Sequence, residues 1–210
     1  MTSASVGYSA ISSYSRVEIL RLLSEHPDRT IAELSELTAL HANTVREHLQ
    51  RLEEEGCVIR SLEHRTTRGR PRVLFRAALG ADAVSSPVTA KKVRDAAVRG
   101  DMMRRVVPAA DESTRGLEPD AVHQVDAIID HLYEAGFEPA FDGSKLTLDV
   151  TPCVHQSVQA DHRETLCAVH LGIMQGVLAQ AGGPLRATEV RTDGVANGCI
   201  VQLTRAPHAG

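Results

Sequence analysis

The chain has 210 residues, of which 42% are hydrophobic and 24% charged, and its formal net charge is −4. This composition is typical of a globular protein with one or two domains, each large enough to bury a core. No apolar run approaches the roughly 18 residues of a membrane span, and residues 1–10 lack the basic and apolar regions of a signal peptide. We therefore expect a cytoplasmic protein and exclude the membrane and secreted classes.

The first part of the chain predicts three helices followed by a β-hairpin. Apolar residues recur at helical spacing after a small, polar tail at 1–11. Thr30 and Glu33 form a capping-box pattern, and Gly56 is a typical residue at the end of a helix. The predicted elements are helices over 12–26, 31–37 and 42–55 and strands over 57–62 and 72–76.

This order of elements is typical of a winged helix-turn-helix domain, which we place at 12–80. Two short helices cannot bury their apolar faces alone, so they pack against the first helix and the hairpin. The polar face of the third helix is then free to enter a major groove. We assign to this face Asn43, Thr44, Arg46, Glu47 and Gln50, and to the core Val45, Leu49 and Leu52, and we interpret His48 as a packed residue.

Charge is distributed unevenly along the chain, with a net charge of +1 over 1–80 and −5 over 81–210. The segment 60–76 contains one acidic residue, Glu63, and six arginines: Arg60, Arg65, Arg68, Arg70, Arg72 and Arg76. Such a patch indicates a phosphate-binding surface, and the alternative is a solvated loop. The tip Arg68-Gly69-Arg70-Pro71 has two arginines that can enter a narrow minor groove. We assign Arg65, Arg68, Arg70 and Arg72 as wing contacts with DNA.

Two segments, HANTVREHLQRLEEEGCVIR and TTRGRPRVLF, resemble the DNA-binding half of ArsR/DeoR-type bacterial regulators, and most of all the branch of SufR-like iron–sulfur repressors. The resemblance covers roughly 12–78. It implies a homodimer that reads a two-fold operator in double-stranded DNA, with the third helix and the wing facing the duplex. Members of this family usually have leucine where this chain has Cys57, so we interpret Cys57 as a small core residue.

Residues 81–117 predict a linker that contains a helix over 90–107. A lone helix between domains usually needs a partner, so dimerisation through this helix is one hypothesis. Packing of the helix against its own wing domain is the alternative, and the sequence does not separate the two.

Residues 118–210 predict a second domain with the element order αββαββ. The segments are a helix over 119–135, strands over 138–141 and 145–150, a helix over 163–181 and strands over 185–191 and 198–204. Two helices on one face of an antiparallel sheet form a small α+β sandwich. This order does not specify a function.

Three cysteines of this domain, Cys153, Cys167 and Cys199, lie at or near junctions of predicted elements. Their spacing lacks the C-x2-C knuckle of a zinc finger, but three thiolates and one weaker ligand suit a 4Fe–4S cluster or a Cys3His zinc site. His170, one turn after Cys167, and His155 are candidates for the fourth ligand, and we assign His170. The alternative is that all three cysteines are small apolar core residues.

The same cysteines look like the cluster-binding set of SufR-like regulators, which implies a cluster on Cys153, Cys167 and Cys199 with a non-cysteine ligand on the fourth iron. We expect no enzyme, because the chain has no P-loop, no G-x-G-x-x-G after a strand, no G-x-S-x-G and no H-E-x-x-H. The sequence therefore predicts a DNA-binding transcriptional regulator that senses iron–sulfur or redox status. The alternatives are a zinc or other metal sensor, or a metal-free regulator that binds an organic ligand or a protein.

Overall fold

A computed structural model describes residues 13–64, 70–80, 86–107, 112–151, 153, 160–191 and 198–206, with only the backbone at 160–162. Its helices are α1 (Tyr14–Glu25), α2 (Ile31–Thr38), α3 (Ala42–Glu54), α4 (Pro87–Val106), α5 (Pro119–Glu134) and α6 (Ala160–Ala181). Its strands are β1 (Val58–Leu62), β2 (Val73–Ala77), β3 (Ala140–Asp142), β4 (Thr147–Asp149), β5 (Leu185–Arg191) and β6 (Ile200–Arg205). Each expected helix and strand is present, with ends within three residues of those expected, so the chain is α+β.

The three N-terminal helices enclose a leucine-rich core. Leu20, Leu34 and Leu49, one from each helix, are at most 1% exposed and belong to one buried cluster. The capping box at the start of α2 is confirmed, because the Glu33 N–H donates to Thr30 Oγ1 at 3.3 Å and the Thr30 N–H donates to Glu33 Oε2 at 2.7 Å. These caps fix the start of α2 and so the approach of α3 to the core.

Strands β1 and β2 form an antiparallel hairpin, paired from Val58 with Ala77 to Leu62 with Val73. The backbones of Arg29 and Phe75 exchange two further hydrogen bonds, of 3.0 and 2.8 Å. The hairpin is therefore fastened to the segment between α1 and α2, as a wing must be if it is to keep its position beside α3.

The C-terminal strands form one sheet in the order β3-β4-β6-β5, with every pair antiparallel. Alternate strand residues such as Leu148, Val201 and Leu203 are buried in one cluster with Ile128 of α5 and Leu178 of α6. Side chains of a strand alternate between its two faces. The two helices therefore cover one face of the sheet.

Helix α6 belongs to both halves of the molecule. Its early residues Leu166, Val169 and Ile173 lie in the core of the three N-terminal helices, whereas Met174 and Leu178 lie in the core of the C-terminal sheet. The two regions that the sequence separates therefore share a helix.

Helix α4 packs mainly against α5 and α6, and Val93 and Ala96 form a small cluster with Ala127 and Val177. It meets the wing domain at its N-terminal end, where the Thr89 hydroxyl donates to the Gly56 carbonyl at 3.4 Å. Among the described residues, packing of this helix against its own wing domain, the alternative expected from the sequence, involves its N-terminal end. None of the described helices has both the length and the apolar composition of a bilayer span.

Candidate nucleic-acid interface and cysteine site

Helix α3 has two sharply different faces. Val45, Leu49 and Leu52 are at most 1% exposed. The opposite face carries the predicted contact residues, of which Asn43, Arg46, Glu47 and Gln50 are exposed and Thr44 is half-buried. The half-buried position of His48 agrees with its interpretation as a packed residue, and burial lowers the pKa of its ring.

The N-terminus of α3 is the end of the helix that favours negative charge. His41 precedes α3 and accepts a hydrogen bond at Nδ1 from the Asn43 N–H, at 3.2 Å. With Nδ1 as the acceptor, the ring proton is on Nε2, which can donate to a phosphate oxygen. Sequence reasoning missed His41, because histidine is not among the usual N-cap residues. The only signal was its place directly before the helical pattern.

Two predicted base-reading residues of α3 contact each other. Arg46 Nη1 donates to Asn43 Oδ1 at 2.6 Å, and Gln50 Nε2 donates to Glu54 Oε1 at 3.0 Å. These bonds hold exposed polar groups in place one helical turn apart. Arginine and asparagine side chains can pair with the edges of guanine and adenine, so this face has the chemistry for reading bases.

The wing presents exposed cations of its own. Arg70 and Arg72 are exposed, and Arg60 of β1 is exposed as well. Arg72 forms a two-point ion pair with Glu63, with Nε–Oε2 at 3.1 Å and Nη2–Oε1 at 2.8 Å, which raises the pKa of the guanidinium. Contact between Arg72 and a phosphate therefore competes with Glu63. The other predicted wing contacts, Arg65 and Arg68, lie outside the described residues.

The three C-terminal cysteines come from different elements. Cys153 follows β4, Cys167 lies on α6, and Cys199 directly precedes β6. Strands β4 and β6 are neighbours. Directly after β4, the Val150 N–H donates to the Cys199 carbonyl at 2.9 Å, and the Cys199 N–H donates to Thr151 Oγ1 at 3.1 Å. The sheet order thus brings the segment of Cys153 next to Cys199.

The thiols of these cysteines influence one another. A hydrogen bond with Cys153, followed by burial and the proximity of Cys153 and Cys167, raises the pKa of the Cys199 thiol. Burial and the proximity of Cys153 raise the pKa of Cys167. All four cysteines of the chain are described, and none forms a disulfide.

The fit of this site to a metal rests on its donor chemistry. Thiolates are the usual ligands of iron–sulfur clusters and also bind zinc. Within the part of the chain that the structure describes, no group of three or more Cys, His, Asp or Glu side chains is arranged to hold a single metal ion. The three thiols are therefore the right kind of donor for an iron–sulfur cluster. The described side chains do not form a complete set of ligands around a single metal ion.

The predicted fourth ligand, His170, is buried against an aromatic neighbour. Its ring stacks on Phe137 with centroids 5.0 Å apart and lies 6.5 Å from the ring of His131. His155, the other candidate, lies outside the described residues. The identity of the fourth ligand stays a prediction.

Cys57 is separate from this group and lies in the N-terminal core, 6% exposed. Burial raises the pKa of its thiol to about 12. The interpretation of Cys57 as a small core residue is confirmed, because its side chain is buried among the apolar residues of this core.

Comparison with known proteins gives one match. A family model described as winged helix-turn-helix DNA-binding matches residues 13–59, which span α1, α2, α3 and the start of β1. Neither the curated proteins nor the solved structures compared with this chain gave a match. The family match supports a DNA-binding regulator and bears only on the N-terminal elements.

Proposed function

We propose that this protein is a sequence-specific transcriptional regulator whose C-terminal α+β sandwich senses iron–sulfur or redox status. One observation carries the DNA-binding part of the proposal. The same helix that buries Val45 and Leu49 completely exposes Asn43, Arg46 and Gln50 on its other face. A solvated helix does not need these base-reading residue types, whereas a recognition helix does.

In the proposed complex, α3 lies in the major groove and the wing follows the backbone toward the minor groove. Asn43 and Arg46 read base edges, while Arg70 contacts phosphate or the narrow minor groove. A second copy reads the other half of a two-fold operator, because one recognition helix covers one half-site.

In the sensor half, Cys153, Cys167 and Cys199 would hold the cluster, with His170 as the predicted fourth ligand. When bound, an iron–sulfur cluster supplies an oxidation-sensitive link between its thiolate ligands. The three cysteines belong to the segment after β4, to α6 and to the residue before β6. A cluster held by all three would therefore tie three elements of the fold together.

Helix α6 supports a route from this site to the DNA-binding elements. Cys167 follows Leu166 directly and precedes Val169, and both of these neighbours are buried in the N-terminal core. A change in the position of Cys167 would therefore move side chains that pack with α1, which in turn contacts α3. Cores are closely packed, so such a shift is passed on to the recognition helix rather than absorbed.

The sensing part is tested by iron and sulfide analysis of protein purified without oxygen. We expect about four iron and four sulfide ions per chain in the wild type, and a loss of most of this iron in Cys167→Ala. Cys57→Ala is the matched control, because Cys57 is a cysteine of the same chain that lies in the N-terminal core. It should keep the iron content of the wild type.

The outcomes separate the proposal from its alternatives. Colourless protein without iron after reconstitution would rule out the cluster, and stoichiometric zinc would favour a zinc sensor on the same thiols. If a variant lacking all three C-terminal cysteines kept full regulation, the sandwich would instead bind an organic ligand or a protein partner.

A further inference from the structure

Helix α4 carries a concentrated apolar surface. Among the described residues, nine large hydrophobic side chains are exposed, and five of them lie within 98–107. We call these five residues the α4 strip: Val98, Met102, Met103, Val106 and Val107, which are 69%, 58%, 50%, 72% and 42% exposed. Val98, Met102 and Val106 follow one another at intervals of four residues, so they form one row along the helix.

The row of Val98, Met102 and Val106 lies on the side of α4 that faces away from the described part of the chain. On the side opposite the row of Val98, Met102 and Val106, Arg104 forms an ion pair with Asp126 of α5 at 2.8 Å, and on one flank Lys92 forms an ion pair with Glu134 of α5 at 2.9 Å. A side chain at Gly100 would overlap the carboxylate of Asp126, so the two helices approach closely there. Since α4 cannot turn without breaking these contacts, no described part of the same chain covers the strip.

Charges beside the strip are self-complementary. Asp101 and Arg105 are one helical turn apart on the same flank, and Arg105 is exposed. The Asp101 side chain is 47% exposed, although Arg104 donates to it at 2.7 Å and His123 Nε2 lies 3.2 Å from the same oxygen. When two such helices pack antiparallel about a two-fold axis, each Arg105 lies against the other copy's Asp101. A lipid surface or an unrelated partner does not require this arrangement.

We propose that the α4 strip is the interface through which two copies of this chain pair, with their α4 helices antiparallel. The choice of a second copy as the occupant rests on the proposed function, because a two-fold operator requires two recognition helices. The location of the surface and its apolar character are independent of that function, because they follow from the exposed residues of α4. Exposed apolar patches with a polar rim mark association sites.

Sedimentation equilibrium of the full chain tests the interface. We expect the wild type at micromolar concentration to have twice the chain mass of 22.7 kDa. Met102→Glu places an unpaired carboxylate in the pairing surface, so its dimer dissociation constant should rise about a hundredfold or more. Leu62→Glu is the matched control, because Leu62 is similarly exposed at 66% but lies on β1, and its mass should stay that of a dimer.

A second variant tests the interface independently, in case Met102→Glu does not fold. Arg105→Glu changes only an exposed side chain and should weaken the dimer about tenfold, more at low than at high salt. The proposal is overturned if the wild type is a monomer at about 100 µM, a concentration that saturates an interface of micromolar dissociation constant. It is also overturned if Met102→Glu, shown to be folded by circular dichroism, stays fully dimeric. A monomeric wild type that still binds duplex DNA and iron would overturn the interface alone and leave the proposed function standing.

Discussion

Gln124 shows how a single buried polar residue joins three elements. Its side chain is fully buried on α5, donates from Nε2 to the carbonyls of Leu178 at 2.8 Å and Leu185 at 3.0 Å, and accepts from the Leu185 N–H at 2.7 Å. Gln124→Leu leaves these backbone groups without partners and should lower the free energy of unfolding by about 2–4 kcal/mol. Urea denaturation followed by circular dichroism measures this change.

The control for this substitution is Gln50→Leu on the exposed face of α3, which should change the unfolding free energy by no more than about 0.5 kcal/mol. Equal stability of Gln124→Leu and the wild type would contradict the role of the buried amide. Hydropathy patterns could not reveal Gln124, since they treat a polar residue as exposed.

His131 should make the protein sensitive to acid. Burial, together with the nearby positive charge of Lys92, lowers the pKa of this histidine from 6.5 to about 4. Between these values the unfolded chain binds more protons than the folded chain, so stability falls as the pH falls from about 6.5 to about 4. The expected loss is about 1–3 kcal/mol, reduced from the full linkage value because His131 is only half-buried.

Denaturation midpoints of the wild type and His131→Gln across this pH range test the expectation. The substitution should flatten the pH dependence, whereas His26→Gln, at an exposed position, should leave it unchanged. An identical pH dependence in all three proteins would show that His131 does not titrate in this range on unfolding.

At the scale of elements, α3 and the wing should contribute differently to DNA binding. Arg70→Ala should weaken binding to all duplexes alike and reduce the slope of log affinity against log salt by about one. Asn43→Ala or Arg46→Ala should instead change which sequences are enriched from a random duplex pool, at a cost of about 1–3 kcal/mol per lost base contact. Fluorescence anisotropy and pool sequencing measure the two effects.

Arg191→Ala is the control for both measurements, because Arg191 is an exposed arginine on β5. Its duplex affinity and sequence preference should equal those of the wild type. If the α3 and wing variants also behaved like the wild type, the proposed docking of α3 in the major groove would be wrong.

The helices and strands could be predicted from the sequence because apolar periodicity and the residues that begin or end a helix involve only neighbouring positions in the chain. The capping pair Thr30 and Glu33 and the positive φ of Gly56 (+83°) and Gly182 (+68°) mark helix ends that a single sequence can reveal. The order β3-β4-β6-β5 was not predictable, because the neighbours β4 and β6 are separated in the chain by α6 and β5. The approach of Cys153 to Cys199 depends on that order.

At the scale of the whole molecule, α6 should make the chain unfold as one unit. Leu166 and Val169 are buried with α1, and Leu178 is buried with the C-terminal sheet, so neither core can open without disturbing the same helix. The sequence suggested two regions because the contacts of α6 with α1 join residues more than 130 positions apart, far beyond any local pattern.

Differential scanning calorimetry of the full chain tests this cooperativity. We expect a single transition with equal calorimetric and van't Hoff enthalpies. Two resolved transitions would mean that the winged domain and the C-terminal sheet unfold independently, and that α6 does not couple them.

A titration of labelled double-stranded DNA with the full protein at low salt, carried out under reducing and oxidising conditions, tests whether α3 and the wing bind DNA. We expect binding whose affinity falls steeply as salt is added and which is weakened by Arg70→Ala. Absence of binding to any duplex from a random pool, under both conditions, would contradict the claim that α3 and the wing form a DNA-binding surface.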